Sequence, residues 1–153
     1  MKLATLNDGT KDGQLIIVSK DLKTCVKAQD IVTTMQNAID NWDGVKTLLE
    51  DISIELNAGK LKSNTFDATL VHSPFPRSFQ WADGSAYVNH VHLVRKARGA
   101  EMPESFWTDP LMYQGGSDDF YPPMSPILLP DESWGIDMDC LLYTSPSPRD
   151  SDT

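Results

Sequence analysis

Gln14-Leu15-Ile16-Ile17-Val18-Ser19 carries an uninterrupted apolar run, short enough to suit a strand buried on both faces. Upstream, Lys2 to Leu6 alternates apolar and polar residues. Asn7-Asp8-Gly9 and Asp12-Gly13 then supply two turn signals before the run begins. Thr24 to Ala28 is a candidate third strand, so the opening reads as a meander of short strands. The pattern changes at Asp30. Ile31, Met35, Ala38, Ile39 and Trp42 recur at helical spacing, and Asp43-Gly44 reads as a break. Val45, Leu48, Leu49, Ile52 and Leu56 make a second apolar stripe, which Asn57-Ala58-Gly59 ends. Stripes of this kind face a core and carry no chemistry.

Residues 60–82 read as a linker with one strand, Phe66 to Val71. Pro74 and Pro76 deny two backbone donors and stop regular structure, which puts a domain boundary near residue 72. Ser85 to Arg98 has helical character, with Asp83 or Ser85 as cap and Gly99 as terminator. Residues 100–130 are rich in Pro, Gly, Asp and aromatics, as suits a long ordered loop beside a site. Trp134 to Met138 reads as the start of another strand. The expected fold class is α+β.

Composition narrows the function. With 40% hydrophobic and 23% charged residues in a chain of 153, a folded globular protein is expected. A net charge of −9 argues against nucleic acid, whose phosphates it would repel. The N-terminus lacks the basic and apolar segments of a secretory signal. No apolar run approaches the roughly 18 residues of a membrane span. Cys25 and Cys140 lie far apart without metal-type spacing, which suits two reduced thiols in a cytoplasmic protein.

The segment that points to chemistry is Trp81-Ala82-Asp83-Gly84-Ser85-Ala86-Tyr87-Val88-Asn89-His90. On a helix, Asp83 and His90 would share a face two turns apart, with Tyr87 between them. A carboxylate near a helix N-terminus stays ionised, as a ligand for magnesium or calcium must. Taken alone, Asp83 is more simply a cap and His90 a surface histidine. Downstream, Tyr113-Gln114-Gly115-Gly116 offers a glycine pair where backbone could approach a ligand. Asp137 and Asp139 would lie on one face of the strand begun at Trp134, two carboxylates for one cation.

The run WADGSAYVNHVHLVRKARGAEMPESFWTDPLMYQGGSDDF, followed by WGIDMD, resembles the bacterial type of the fumarylacetoacetate hydrolase family. The opening MKLATLNDGTKDGQLIIVSKDL and the later NAGK are similar to that family's N-terminal domain, so the resemblance covers residues 1–139. It implies a small N-terminal domain of short strands and two helices over 1–72. The start of a mixed β-roll catalytic domain follows over 73–139, commonly homodimeric in the intact protein. It implies metal-dependent hydrolysis of a carbon–carbon bond in a diketo acid, fumarylacetoacetate to fumarate and acetoacetate, in a full-length gene product of which this chain is a part. Related members hydrolyse acylpyruvates, or decarboxylate or isomerise keto acids. A third possibility is that the chain as written is a non-catalytic fragment or binding module.

Residue by residue, the resemblance puts a metal ligand for Mg2+ or Ca2+ at Asp83 and the general base at His90. It puts a substrate contact at Tyr113 and the first member of an acidic metal pair at Asp139, where the family has glutamate. A substrate-binding arginine corresponds to Arg95 or Arg98, between which spacing does not decide. Ser85 stands where mammalian members carry a tyrosine, and Tyr87 is the available substitute. Cys140 to Asp150, CLLYTSPSPRD, matches a translated sequencing-library adapter residue for residue. Residues 140–153 are therefore expected to carry neither fold nor function, and the junction accounts for Asp rather than Glu at 139.

Overall fold

A computed structural model of the chain describes residues 1–85, 87–109, 111–117 and 119–135. Asp137, Asp139 and the 140–153 tail lie outside the described residues. Two compact units are present, one of Met1–Phe79 with Gly116–Ile127, the other containing Gln80–Gly115.

The first unit is built on an antiparallel sheet of β1 (Lys2–Leu6), β2 (Gln14–Val18), β3 (Thr24–Lys27) and β4 (Asn64–Thr65), in that order. The apolar run behaves as its composition requires. Leu15 and Ile17 point to one side of β2, Ile16 and Val18 to the other, and each is almost fully buried. A strand buried on both faces needs cover on both. Helices α1 (Met35–Asp40) and α2 (Trp42–Asn57) cover one side with Met35, Ala38, Val45, Leu49 and Leu56. Cys25 and Val71, with Ala4, Leu6 and Phe66, close the other. The outer edge of β1 is occupied by residues 70–72: the Asn7 amide donates to the Leu70 carbonyl, the His72 amide to the Thr5 carbonyl, and Leu6 bridges Val71. An occupied edge is a poor template for another chain.

Two local expectations change. The helical break falls at Asn41 and not at Asp43-Gly44, which form the first turn of α2. Gly44 is small for a packing reason, since a β-carbon there would lie 2.7 Å from the Asn41 side-chain oxygen. Phe66 to Val71 is not a strand. Asp67 instead caps a 3-10 turn at Ala68–Leu70 by accepting from the Thr69 amide, which leaves only Asn64–Thr65 to pair with β3. Ala58-Gly59 does end α2, with Gly59 at φ +67 and the Lys60 amide returned to the Glu55 carbonyl.

Residues 73–79 are tied into the first unit. The Thr5 hydroxyl donates to the Pro74 carbonyl at 2.7 Å, and the Arg77 guanidinium grips both oxygens of Asp12 at 2.8 and 2.6 Å. In the second unit, β5 (Ala82–Ser85) pairs antiparallel with β6 (Leu111–Gln114), and α3 (Val88–Ala97) lies between them in sequence. The helix expected from Ser85 thus begins at Val88. Ala82–Ser85 form a strand because their backbone groups find partners across the ladder, an option no local pattern discloses. The loop expected over 100–130 contains β6 and a 3-10 turn at Glu104–Trp107. A further 3-10 turn spans Glu132–Trp134, and most of the strand expected over Trp134 to Met138 lies outside the described residues. Among the described residues no helix is long and apolar enough to cross a membrane.

Candidate functional site

Strands β5 and β6 run in the register Ala82 to Gln114, Asp83 to Tyr113, Gly84 to Met112 and Ser85 to Leu111. Residues directly opposite in an antiparallel pair share a face, with β-carbons about 4.5–5.5 Å apart. Asp83 and Tyr113, far apart in the chain and assigned different roles by the resemblance, are therefore cross-strand neighbours. Asp83 is half-buried, while the Tyr113 side chain is 63% exposed.

The ladder extends one step further, where the Gly115 amide donates to the Trp81 carbonyl at 2.9 Å. Trp81 stands two residues before Asp83 and so shares its face. Its indole lies over Gly115, where an added β-carbon would come within 2.4 Å of the ring. It also meets the Tyr113 ring edge-on, with centroids 5.9 Å apart and planes at 73°. Gly115 is thus a glycine that admits an indole, while a β-carbon on Gly116 would meet nothing within 4 Å. Trp81 was not among the residues singled out from sequence. No local pattern singles it out, since its link to Tyr113 is made by the β5–β6 register.

His90 occupies the first turn of α3 and is half-buried, next to Val91, the buried residue of that helix. Because Asp83 is on β5, the two do not share a helix face as the spacing suggested. Tyr87 caps α3 without a side-chain bond and is 48% exposed. Both arginines lie at the C-terminal end of α3. Arg95, in the last turn, donates from Nη1 to the Glu101 carbonyl at 3.2 Å, and the Arg98 amide closes the helix on the Val94 and Arg95 carbonyls. Cations suit this end, where the helix dipole is negative.

For a divalent metal, the described residues hold no group of three or more His, Cys, Asp or Glu side chains. Asp83 is the one described member of the implied ligand set. Hard cations such as calcium take six to eight oxygens, so a single carboxylate does not make their site. A separate cavity of about 310 Å³ opens in the first unit, lined by Met35, Asn37, Phe75, Phe79 and the Asp12–Arg77 pair among others. None of the catalytic, substrate-binding or metal-ligand candidates named from the sequence is among its lining residues.

The family described as fumarylacetoacetase N-terminal domain 2 matches residues 1–77, just over half of the chain. No curated protein matches the chain. The matched residues contain β1 to β4 with α1 and α2, and on that match the chain belongs to the fumarylacetoacetate hydrolase family.

Proposed function

We propose that this chain contributes to a hydrolase of a carbon–carbon bond in a diketo acid, cleaving fumarylacetoacetate to fumarate and acetoacetate in the full-length gene product. Residues 73–139 are, in this reading, the beginning of the catalytic domain. The single observation that favours it is the cross-strand pairing of Asp83 with Tyr113. A carboxylate and an exposed phenol on one sheet face can engage a substrate with several carbonyl and carboxylate oxygens.

The chain's own residues divide the work. The Tyr113 hydroxyl donates to an oxygen of the substrate and orients it. His90 takes the proton from a water whose oxygen bonds to the carbonyl carbon. The carbon–carbon bond then breaks, and its electron pair leaves with the acetoacetate carbon, which is protonated in turn. General base catalysis of this kind typically contributes about 10²–10⁴-fold. Magnesium or calcium belongs to the proposal as cofactor, with Asp83 as one ligand and Asp139 as another.

The test uses the full-length product of the natural gene and follows loss of fumarylacetoacetate absorbance with added magnesium or calcium. His90→Ala should lower kcat by about 10²–10⁴-fold. Tyr113→Phe should chiefly raise KM, and chelation by EDTA should abolish turnover until metal is restored. Wild-type turnover in His90→Ala would refute the base assignment. An inactive wild type with either metal would refute the reaction itself.

A further inference from the structure

We propose that Trp81 is a positioning residue for Tyr113, its indole holding the phenol in one orientation on the face that both share with Asp83. This rests on the reading of Tyr113 as a residue that orients substrate.

Tyr113 is 63% exposed on a two-stranded ladder, and an exposed side chain there exchanges among staggered rotamers unless a neighbour restricts it. Trp81 is placed to be that neighbour. Opposite it stands Gly115, whose missing side chain leaves the space the indole fills: a β-carbon would lie 2.4 Å from Cε3 and 3.1 Å from Cζ3. From that seat the ring meets the Tyr113 phenol edge-on at 5.9 Å and 73°, a favoured arrangement because the positive edge of one ring faces the negative face of the other. The diagonal from Trp81 to Tyr113 is within reach of aromatic side chains across a ladder. Gly115 thus seats the indole, the indole restrains the phenol, and the phenol stands beside Asp83. Catalytic groups held in advance lose less on binding, and a misplacement of about 1 Å can cost about 10²-fold.

The experiment is NMR on the full chain carrying 13C-labelled tyrosine, with the Tyr113 ring signal assigned from Tyr113→Phe. In the wild type the ring protons should be displaced by the indole ring current and show through-space contacts to Trp81. Trp81→Ala should return the signal to the position of an exposed tyrosine, whereas Trp81→Phe should keep part of the displacement. Gly115→Ala should also move the signal, because the new methyl displaces the indole while leaving it present. Slow exchange of the Gly115 amide reports that β5 and β6 remain paired. An unmoved Tyr113 signal in both Trp81→Ala and Gly115→Ala would overturn the proposal. So would loss of strand pairing in both, since Trp81 would then act as a simple structural residue. In the full-length enzyme, Trp81→Ala should reproduce the KM rise of Tyr113→Phe with kcat changed by no more than a few-fold. A full-length protein without hydrolase activity sinks the proposed reaction but leaves the NMR result standing, so the two failures are separable.

Discussion

Gly13 and Gly9 both adopt positive φ, at +62 and +86, yet their surroundings differ. A β-carbon on Gly13 would lie 2.6 Å from the Leu6 carbonyl oxygen and 2.6 Å from the Thr5 methyl, while one on Gly9 would meet nothing within 4 Å. Gly13→Ala should therefore destabilise the first unit by about 1–3 kcal/mol, read from the urea midpoint, with Gly9→Ala costing distinctly less. Equal losses would show that conformation alone, and not the clash, sets the cost. Both glycines were visible in the sequence as turn signals. Which of them is crowded depends on Thr5 and Leu6, brought close by the β1–β2 ladder. Beside Gly13, the hydrogen bonds from Arg77 and the nearby guanidinium charge hold the Asp12 carboxyl below its ordinary value of 3.8, outweighing partial desolvation. A carboxyl depressed in the folded state stabilises above its unfolded pKa, and that gain disappears as pH falls through the folded value. The stability difference between wild type and Arg77→Ala should be present at pH 7 and shrink below about pH 4. The effect should be small, since exposed pairs give at most about 1 kcal/mol. A difference independent of pH would mean that Arg77 acts through packing.

Helix α2 shows at the scale of an element how much of an apolar stripe reaches the core: Val45, Leu49 and Leu56 are buried, while Leu48 of the same stripe is 50% exposed. Leu49 is fully buried against β2 and α1, while Ile54, on the same helix, is 67% exposed. Leu49→Ala should cost about 2–5 kcal/mol in chemical denaturation through lost transfer energy and the cavity left behind. Ile54→Ala should cost a small fraction of that, and comparable losses would contradict the packing described. Helix α1 depends on Thr34, whose hydroxyl oxygen accepts from the Asn37 amide at 3.1 Å. Thr34→Ala should remove about 1 kcal/mol, within the usual range for caps. The boundaries of these helices were less legible than their existence. Asn41 ends α1 and opens α2, and Gly44 inside the helix makes room for its side chain, so a glycine that reads as a breaker is a packing device. The same failure is larger at Asp83. Its segment has caps and apolar residues suited to a helix, but cross-strand partners at Leu111–Gln114 convert it to β5.

The two units differ in how much they bury at the scale of the molecule. The first contains the residues of both core clusters, whereas Val91 is the buried hydrophobic residue described in the second. Leu93, Trp107, Met112 and Tyr113 are each more than half exposed. Local opening follows the amount of apolar burial holding a segment down. Limited trypsin digestion read by mass spectrometry should therefore cut first in α3, at Arg95, Lys96 or Arg98, and only later at Lys46 in α2. Cleavage of both helices at the same rate would contradict an uneven distribution of stability.

Local patterns sufficed for whatever is decided by neighbours in the chain: the buried strand at Leu15–Val18, the two apolar helical stripes, the turns and the α+β class. Tertiary structure alone decided that Asp83 lies on a strand, that Tyr113 is its partner, and that Trp81 over Gly115 abuts that partner. The reason is that a ladder joins residues by backbone hydrogen bonds across any sequence separation. Its register, unlike a helical stripe, leaves no periodic mark that links one strand to the other.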